Sequence, residues 1–146
     1  MRLLICTFFL LFTATSAFAG DATVEMLNKS GSKKNVFSSE IVYVDVGDTV
    51  FWKSASKGHN VEFISKRGVP EGVGKFKSKV SKDAQFTFEV PGIYAYWCTP
   101  HKAMGMIGFV VVGGNTDNIE SIKKVKWVGK KSKKIAKELI SKIEAG

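Results

Sequence analysis

One nine-residue stretch, 98–106, constrains the fold of this chain more than any other feature. It contains one cysteine, one histidine and two methionines, and it stands between two runs of apolar, aromatic and β-branched residues. Runs of that composition predict β-strands. The stretch is therefore predicted to be a loop that joins two strands and presents a thiol, an imidazole and a thioether at one end of a β-structure.

These donors indicate a metal site with a preference for copper. The loop supplies Cys98, His101 and a methionine, and the second of the two histidines in the sequence is His59. Two imidazoles, a thiolate and a weak thioether are the ligands of blue-copper centres, whereas hard cations prefer oxygen. We therefore expect one copper ion per chain.

Three other interpretations remain open for these residues. Zinc uses cysteine and histidine, but its sites seldom include methionine. A Cys–His nucleophile would use Cys98 and His101, yet it would leave His59 and the methionine without a role. A copper storage or delivery protein would use the same donors, and its rate of metal exchange would distinguish it from a protein that keeps its metal.

Residues 1–19 have the pattern of a secretory signal peptide. Arg2 is followed by an apolar run, and Ala17-Phe18-Ala19 has the small residues after which signal peptidase cuts. The run is too short to span a bilayer. We expect export and a mature chain 20–146 whose one cysteine is Cys98, so that no disulfide can form within it.

The charge of the chain is strongly positive, at +9. A basic balance bears on partners and association rates rather than on fold. Many of the lysines lie beyond residue 122 and fit the solvated face of a helix, without the aromatic interleaving typical of nucleic-acid binding. We expect no nucleic-acid partner, no membrane span and a monomer.

The rest of the chain predicts an all-β sandwich with helices at its C-terminal end. Beyond the two runs that flank the loop, strands are expected at 23–27, 41–46, 49–52, 61–64 and 85–90, with an irregular segment at 65–81. Helices are expected at 117–125 and 132–145, the second with an apolar stripe of Ile135, Ala136, Leu139, Ile140 and Ile143.

The sequence resembles the cupredoxins and, within that family, the pseudoazurin group. The resemblance covers the whole mature length and is carried by six stretches: 26–29, 47–50, 57–62, 76–79, 91–94 and 98–106. It implies an eight-stranded Greek-key sandwich at 20–114 with a two-helix appendage at 115–146, forming one domain. It also implies a periplasmic electron carrier, not an enzyme, that serves nitrite reductase or c-type cytochromes.

The resemblance also implies roles for single residues. The copper ligands would be His59, Cys98, His101 and Met106, and Met104 would serve in apolar packing or in an apolar surface patch. Around them, Asn60 would bond to Thr99 and Pro100 would stiffen the loop.

One position departs from the family. Trp97 stands where many pseudoazurins have a lysine, so the family's docking surface cannot be carried over whole. We expect partners with acidic surfaces to dock around His101, at a patch rimmed by Lys57 and Lys102.

Overall fold

The computed structural model describes residues 20–146, which form two stacked β-sheets and two α-helices. The expected signal peptide at 1–19 lies outside the described residues. The strands are β1 (Ala22–Ser30), β2 (Lys33–Phe37), β3 (Ile41–Val44), β4 (Thr49–Lys53), β5 (Glu62–Phe63), β6 (Ala84–Thr87), β7 (Gly92–Trp97) and β8 (Ile107–Val112). The helices are α1 (Ile119–Lys123) and α2 (Gly129–Ala145).

The chain crosses repeatedly between the two sheets. One sheet has the strand order β2-β1-β4-β6 and the other β3-β8-β7-β5. The pairs β1–β4 and β3–β8 are parallel, and the other neighbours are antiparallel. The prediction of an all-β sandwich with two C-terminal helices is confirmed.

Strands β7 and β8 are buried on both faces because their sheet lies between two layers. Side chains on one face, such as Tyr94, Tyr96 and Val110, pack in the core between the sheets. Side chains on the other face, such as Ile93 and Phe109, pack beneath the helices. A strand covered on both faces needs apolar residues at successive positions, which explains why β8 reads IGFVVV.

Helix α2 covers the outer face of this sheet with the apolar stripe that the sequence predicts. The buried members of the stripe are Ala136, Leu139, Ile140 and Ile143. The helix begins at Gly129, before the expected start at 132. Within residues 20–146, no helix has the length and apolarity that a membrane span requires.

Helix α1 is shorter than expected and is tied to the sheet through Asn118. The Asn118 Oδ1 atom accepts a hydrogen bond from the Ile93 N–H at 2.9 Å, and its Nδ2 atom donates to the Ile93 carbonyl oxygen at 2.8 Å. The two bonds fix the chain at the point where it enters the helices.

Strand β2 was not predicted from its residue pattern. Its first three residues are polar, and only Val36 and Phe37 are apolar and buried. It pairs with β1 at the edge of its sheet, where lysines are common because they discourage pairing with another chain. The strand is therefore specified by its neighbour more than by its own composition.

Gly108 makes room for a core tyrosine, and its substitution tests the packing. A Cβ atom at position 108 would lie 2.5 Å from Tyr96 Cζ, and the ring is fully buried between the sheets. We expect Gly108→Ala to lower the free energy of unfolding by about 1–3 kcal/mol, as overpacking usually does, when measured by urea denaturation. Gly74→Ala is the control, since a Cβ there meets nothing within 4 Å. Equal losses in both variants would contradict the packing explanation.

Candidate metal centre

The loop between β7 and β8 is closed at its base and held along its length. The Cys98 N–H donates to the Met106 carbonyl oxygen at 3.0 Å, which pairs the two ends of the loop. Between them lies a 3-10 helix, Thr99–Met104, which ends at Gly105 with a φ of 90°. The His101 N–H donates to the Cys98 carbonyl oxygen at 3.0 Å. These backbone bonds set the directions of the loop side chains.

Helix α2 braces the same loop from outside. The Ser132 hydroxyl, which is buried, donates a hydrogen bond to the Lys102 carbonyl oxygen. Gly129 lies so close to the loop that a Cβ there would be 2.9 Å from the Ala103 carbonyl oxygen. The start of the helix therefore packs directly on the 3-10 helix of the loop.

Three donor atoms converge at this end of the sandwich. The Nδ1 atoms of His59 and His101 lie 3.2 Å apart, and Cys98 Sγ lies 3.7 Å from His59 Nδ1 and 3.4 Å from His101 Nδ1. His59 and Cys98 are fully buried, whereas His101 is partly exposed. The structure thus brings together three side chains that the sequence singles out as donors, from two separate loops.

The two methionines of the loop have different environments. Met106 is fully buried and belongs to the core between the sheets, which also contains Cys98. Met104 is 49% exposed, and its Sδ atom lies 3.8 Å from Asn35 Nδ2 on strand β2. Met106 therefore lies in the same buried core as Cys98, whereas Met104 lies at the surface.

The orientation of the His59 ring is fixed by Asn28 on strand β1. The His59 Nε2 atom lies 2.7 Å from Asn28 Oδ1, and a carbonyl oxygen can only accept, so Nε2 carries the proton. The Nδ1 atom keeps its lone pair and faces Cys98. Burial, and after it the charge of His101, lowers the pKa of His59 below its usual value, which favours the neutral ring that a metal needs.

The buried side chain of Asn60 joins the two loops that carry the donors. Its Oδ1 atom accepts from the Thr99 N–H at 2.8 Å, and its Nδ2 atom donates to Thr99 Oγ1 at 3.0 Å. Nδ2 also lies 3.3 Å from the Ser78 carbonyl oxygen. Asn60 follows His59 and Thr99 follows Cys98, so these bonds set the separation of two of the donors.

Glu62 extends the network to both chain neighbours of Cys98. Its carboxylate accepts from the Thr99 hydroxyl at 2.7 Å and from Trp97 Nε1–H at 3.0 Å, and it lies 3.5 Å from Lys77 Nζ. Burial favours the neutral carboxyl, but these hydrogen bonds and the Lys77 charge outweigh it and hold the pKa of Glu62 below its usual value. Glu62 is therefore a charged anchor beside the loop.

Sequence reasoning missed the contacts of Asn28 and Glu62. Both residues lie in stretches that carry the family resemblance, but the resemblance did not predict which residues they contact. Asn28 is 31 residues from His59, and no spacing rule could have paired them. The partners of Glu62 became apparent only with the register of β5 against β7, which places it opposite Trp97.

The chemistry of the cluster fits a copper ion. Burial raises the pKa of the Cys98 thiol, although the backbone N–H groups of Asn60 and His101 act in the opposite direction. A bound cation would stabilise the thiolate in this buried position. The cluster consists of two histidines and a cysteine without a carboxylate, and nitrogen and sulfur donors suit copper far better than they suit hard cations.

The loop that carries His101 exposes apolar side chains, and two lysines lie close to the donors in the chain. The exposed residues of the loop are Pro100, Ala103 and Met104. Lys57, close to His59 in the chain, is exposed, and Lys102 is half-buried with its Nζ atom 5.0 Å from the centroid of the Trp97 ring. Lys102 therefore lies over the ring of the residue that precedes Cys98.

Comparisons with known proteins agree with this site. Residues 24–113 match the family described as copper binding proteins, plastocyanin/azurin family. The chain is 40% identical to a pseudoazurin of Paracoccus pantotrophus over 130 residues, covering 89% of each protein. It superposes with a TM-score of 0.78 on the crystal structure of native pseudoazurin from Hyphomicrobium denitrificans, at 37% identity, covering 84% of this chain and 98% of the other. A pseudoazurin structure from Methylobacterium extorquens AM1 gives 0.79 at 35% identity, with coverages of 84% and 98%. The chain therefore belongs to the plastocyanin/azurin family of copper-binding proteins, the cupredoxins, and to the pseudoazurins within it.

Proposed function

We propose that this protein is a one-electron carrier whose His59, Cys98, His101 and Met106 bind one copper ion per chain. The observation that carries the proposal is the convergence of Cys98 Sγ and two histidine Nδ1 atoms at 3.2–3.7 Å from one another. When bound, copper supplies one-electron chemistry by alternating between Cu(II) and Cu(I). The protein would carry electrons between partners and would make or break no bond in a substrate.

The contribution of the chain is to hold its donors in place in both redox states. Asn28 fixes the His59 ring, and Asn60 ties the His59 loop to Thr99 beside Cys98. Partners of this kind orient metal ligands and raise metal affinity. Pro100 supports the same role, since it has no N–H and its ring restricts the backbone at the start of the 3-10 helix. Donors held in this way move little between states, which favours rapid electron transfer.

His101 gives the centre its route to the surface. It is the one histidine of the cluster that is partly exposed, and the exposed Pro100, Ala103 and Met104 of the same loop contribute apolar surface. Lys57 and Lys102 place positive charge near this patch, so we propose that acidic redox proteins dock there. Nitrite reductase and c-type cytochromes are the partners that the family resemblance suggests, and the expected signal peptide supports a periplasmic location.

Replacement of the cysteine tests the metal assignment. We expect the copper-loaded mature protein to contain one copper per chain and to absorb strongly in the visible range through the Cys98 thiolate. Cys98→Ala should lose this absorption even if some metal remains, as measured by metal analysis and visible spectroscopy. Met104→Leu is the control and should keep the spectrum, since Met104 lies at the surface. An unchanged spectrum in Cys98→Ala would exclude the proposed centre.

Removal of the Asn60 amide tests the link between the loops. Asn60→Ala leaves the Thr99 N–H without its acceptor, and an unsatisfied buried group costs about 1–3 kcal/mol. We expect that loss in urea unfolding of the copper-free protein, together with a copper affinity about 10–100-fold weaker in competition with a chelator. Asn115→Ala is the control, because that side chain bonds to Asp117 in an exposed turn. Equal effects on copper affinity would show that Asn60 does not support the site.

Charge reversal near the patch tests the docking surface. Charges at the rim of an interface act mainly on the association rate and are screened over about 10 Å at 0.1 M ionic strength. Lys57→Glu with Lys102→Glu should lower the second-order rate constant toward an acidic redox protein about tenfold at low salt, measured by stopped-flow, while the visible spectrum stays the same. Lys133→Glu with Lys137→Glu on α2 is the control of equal charge. If the rate constant changes neither with salt nor with the Lys57→Glu and Lys102→Glu reversals, the partner docks at another surface.

A further inference from the structure

A groove of about 330 Å³ opens beside β7, outside the patch around His101. Its lining residues are Ile64, Lys66, Arg67, Trp97, Lys124 and Lys126. Two chain segments form its walls: the turn after β5 and the connection between α1 and α2. Each wall carries two basic residues, and Trp97 and Ile64 supply the apolar surface between them.

The positive charge of this groove is not neutralised within the described part of the chain. None of its four basic side chains forms an ion pair in residues 20–146. The adjacent Lys123, which is outside the groove, pairs with both Glu120 and Glu144. Clustered like charges repel one another in the folded state, and the acidic groups of a partner would relieve that repulsion.

One of the four cations is held in place by the backbone. The Arg67 Nη1 atom donates to the Lys124 carbonyl oxygen at 3.4 Å and so links the two walls. Arg67 has a φ of 68°, a left-handed conformation that costs free energy for a residue with a Cβ atom. Strained residues of this kind are concentrated at binding sites. The guanidinium is thus prearranged at the groove.

Trp97 connects the groove to the loop between β7 and β8, which carries Cys98 and His101. Its indole N–H is engaged by Glu62 at 3.0 Å, and Lys102 of the loop lies over its ring. Trp97, the chain neighbour of Cys98, therefore lines the basic groove and also contacts the loop between β7 and β8. A molecule that contacts the ring in the groove lies beside the proposed electron-transfer face.

We propose that this groove binds an acidic segment of a protein partner, with carboxylates against the four cations and an apolar side chain on Trp97. A protein segment fits better than a nucleic acid. Single-stranded nucleic acids bind through aromatic side chains on which successive bases stack, whereas Trp97 is the one aromatic residue among 20–146 that lines this groove and Lys102 covers one of its faces. The groove anchors a partner next to the centre, and to that extent the inference rests on the proposed function.

The test is an NMR titration of the reduced, copper-loaded mature protein with a synthetic peptide of alternating glutamate and leucine. We expect shifts of the Trp97 indole N–H and of the backbone amides at 64–68 and 124–126. Lys66→Glu with Lys126→Glu should weaken binding about tenfold, because each reversal turns attraction into repulsion. Lys133→Glu with Lys137→Glu makes the same charge change at another groove and should alter the dissociation constant less than twofold.

Three outcomes would overturn the proposal. Shifts confined to the surface around His101 would show that the acidic peptide prefers the docking patch. Equal weakening by both double variants would show attraction by net charge alone, and tighter binding of a short oligonucleotide than of the peptide would assign the groove to nucleic acid. The titration does not depend on electron transfer and can be repeated on the copper-free protein, so a chain without the expected visible absorption can still be tested for peptide binding, and the two proposals fail separately.

Discussion

The buried amide of Asn60 is the contact on which the arrangement of the centre depends. The donors come from two loops that are far apart in the chain, and the sheets bring the loops to one end without fixing their separation. Asn60 supplies that separation through two hydrogen bonds to Thr99, one from each end of its amide. An amide that both donates and accepts in a dry environment has few alternative orientations. The distance between His59 and Cys98 is therefore set by a polar pair inside an apolar core.

The layers of the fold reinforce this link from both sides. The sheet that carries Cys98 is covered by the second sheet on one face and by α2 on the other, and α2 also contacts the ligand loop through Ser132. Glu62 adds a charged anchor to both neighbours of Cys98. The loop is consequently held by backbone pairing at its base, by helix α2 and by side-chain hydrogen bonds, while His101 stays partly exposed. The buried donors His59 and Cys98 are enclosed by the fold, and His101 is the donor that reaches the surface.

Local patterns were sufficient for much of the fold and for the donors. The apolar runs of β7 and β8, the stripe of α2 and the small number of histidines and cysteines each carry a signal that can be read without knowing the neighbours. Strand β2 could not be predicted because its pairing with β1, not its lysines, makes it a strand. Asn28 could not be assigned for a similar reason, since its role exists only after β1 lies next to the His59 loop. Local patterns leave contacts of long sequence separation undetermined, and the bond between Asn60 and Thr99, which are 39 residues apart, was expected only from the family resemblance.

The two-sided burial of β8 has a consequence for errors in strand pairing. Successive residues of this strand belong alternately to the core between the sheets and to the core under the helices. A slip of one residue against β7 would exchange the two sets of side chains. Such a slip usually costs free energy because it buries polar groups. Here both sets are apolar, so this cost would be missing. The slip would instead be penalised at Gly108, which would no longer face the Tyr96 ring, and at Met106, which would turn toward the helices. Gly108 and the proposed ligand Met106, which precedes β8, thus specify the register of a strand whose hydrophobic pattern does not specify it.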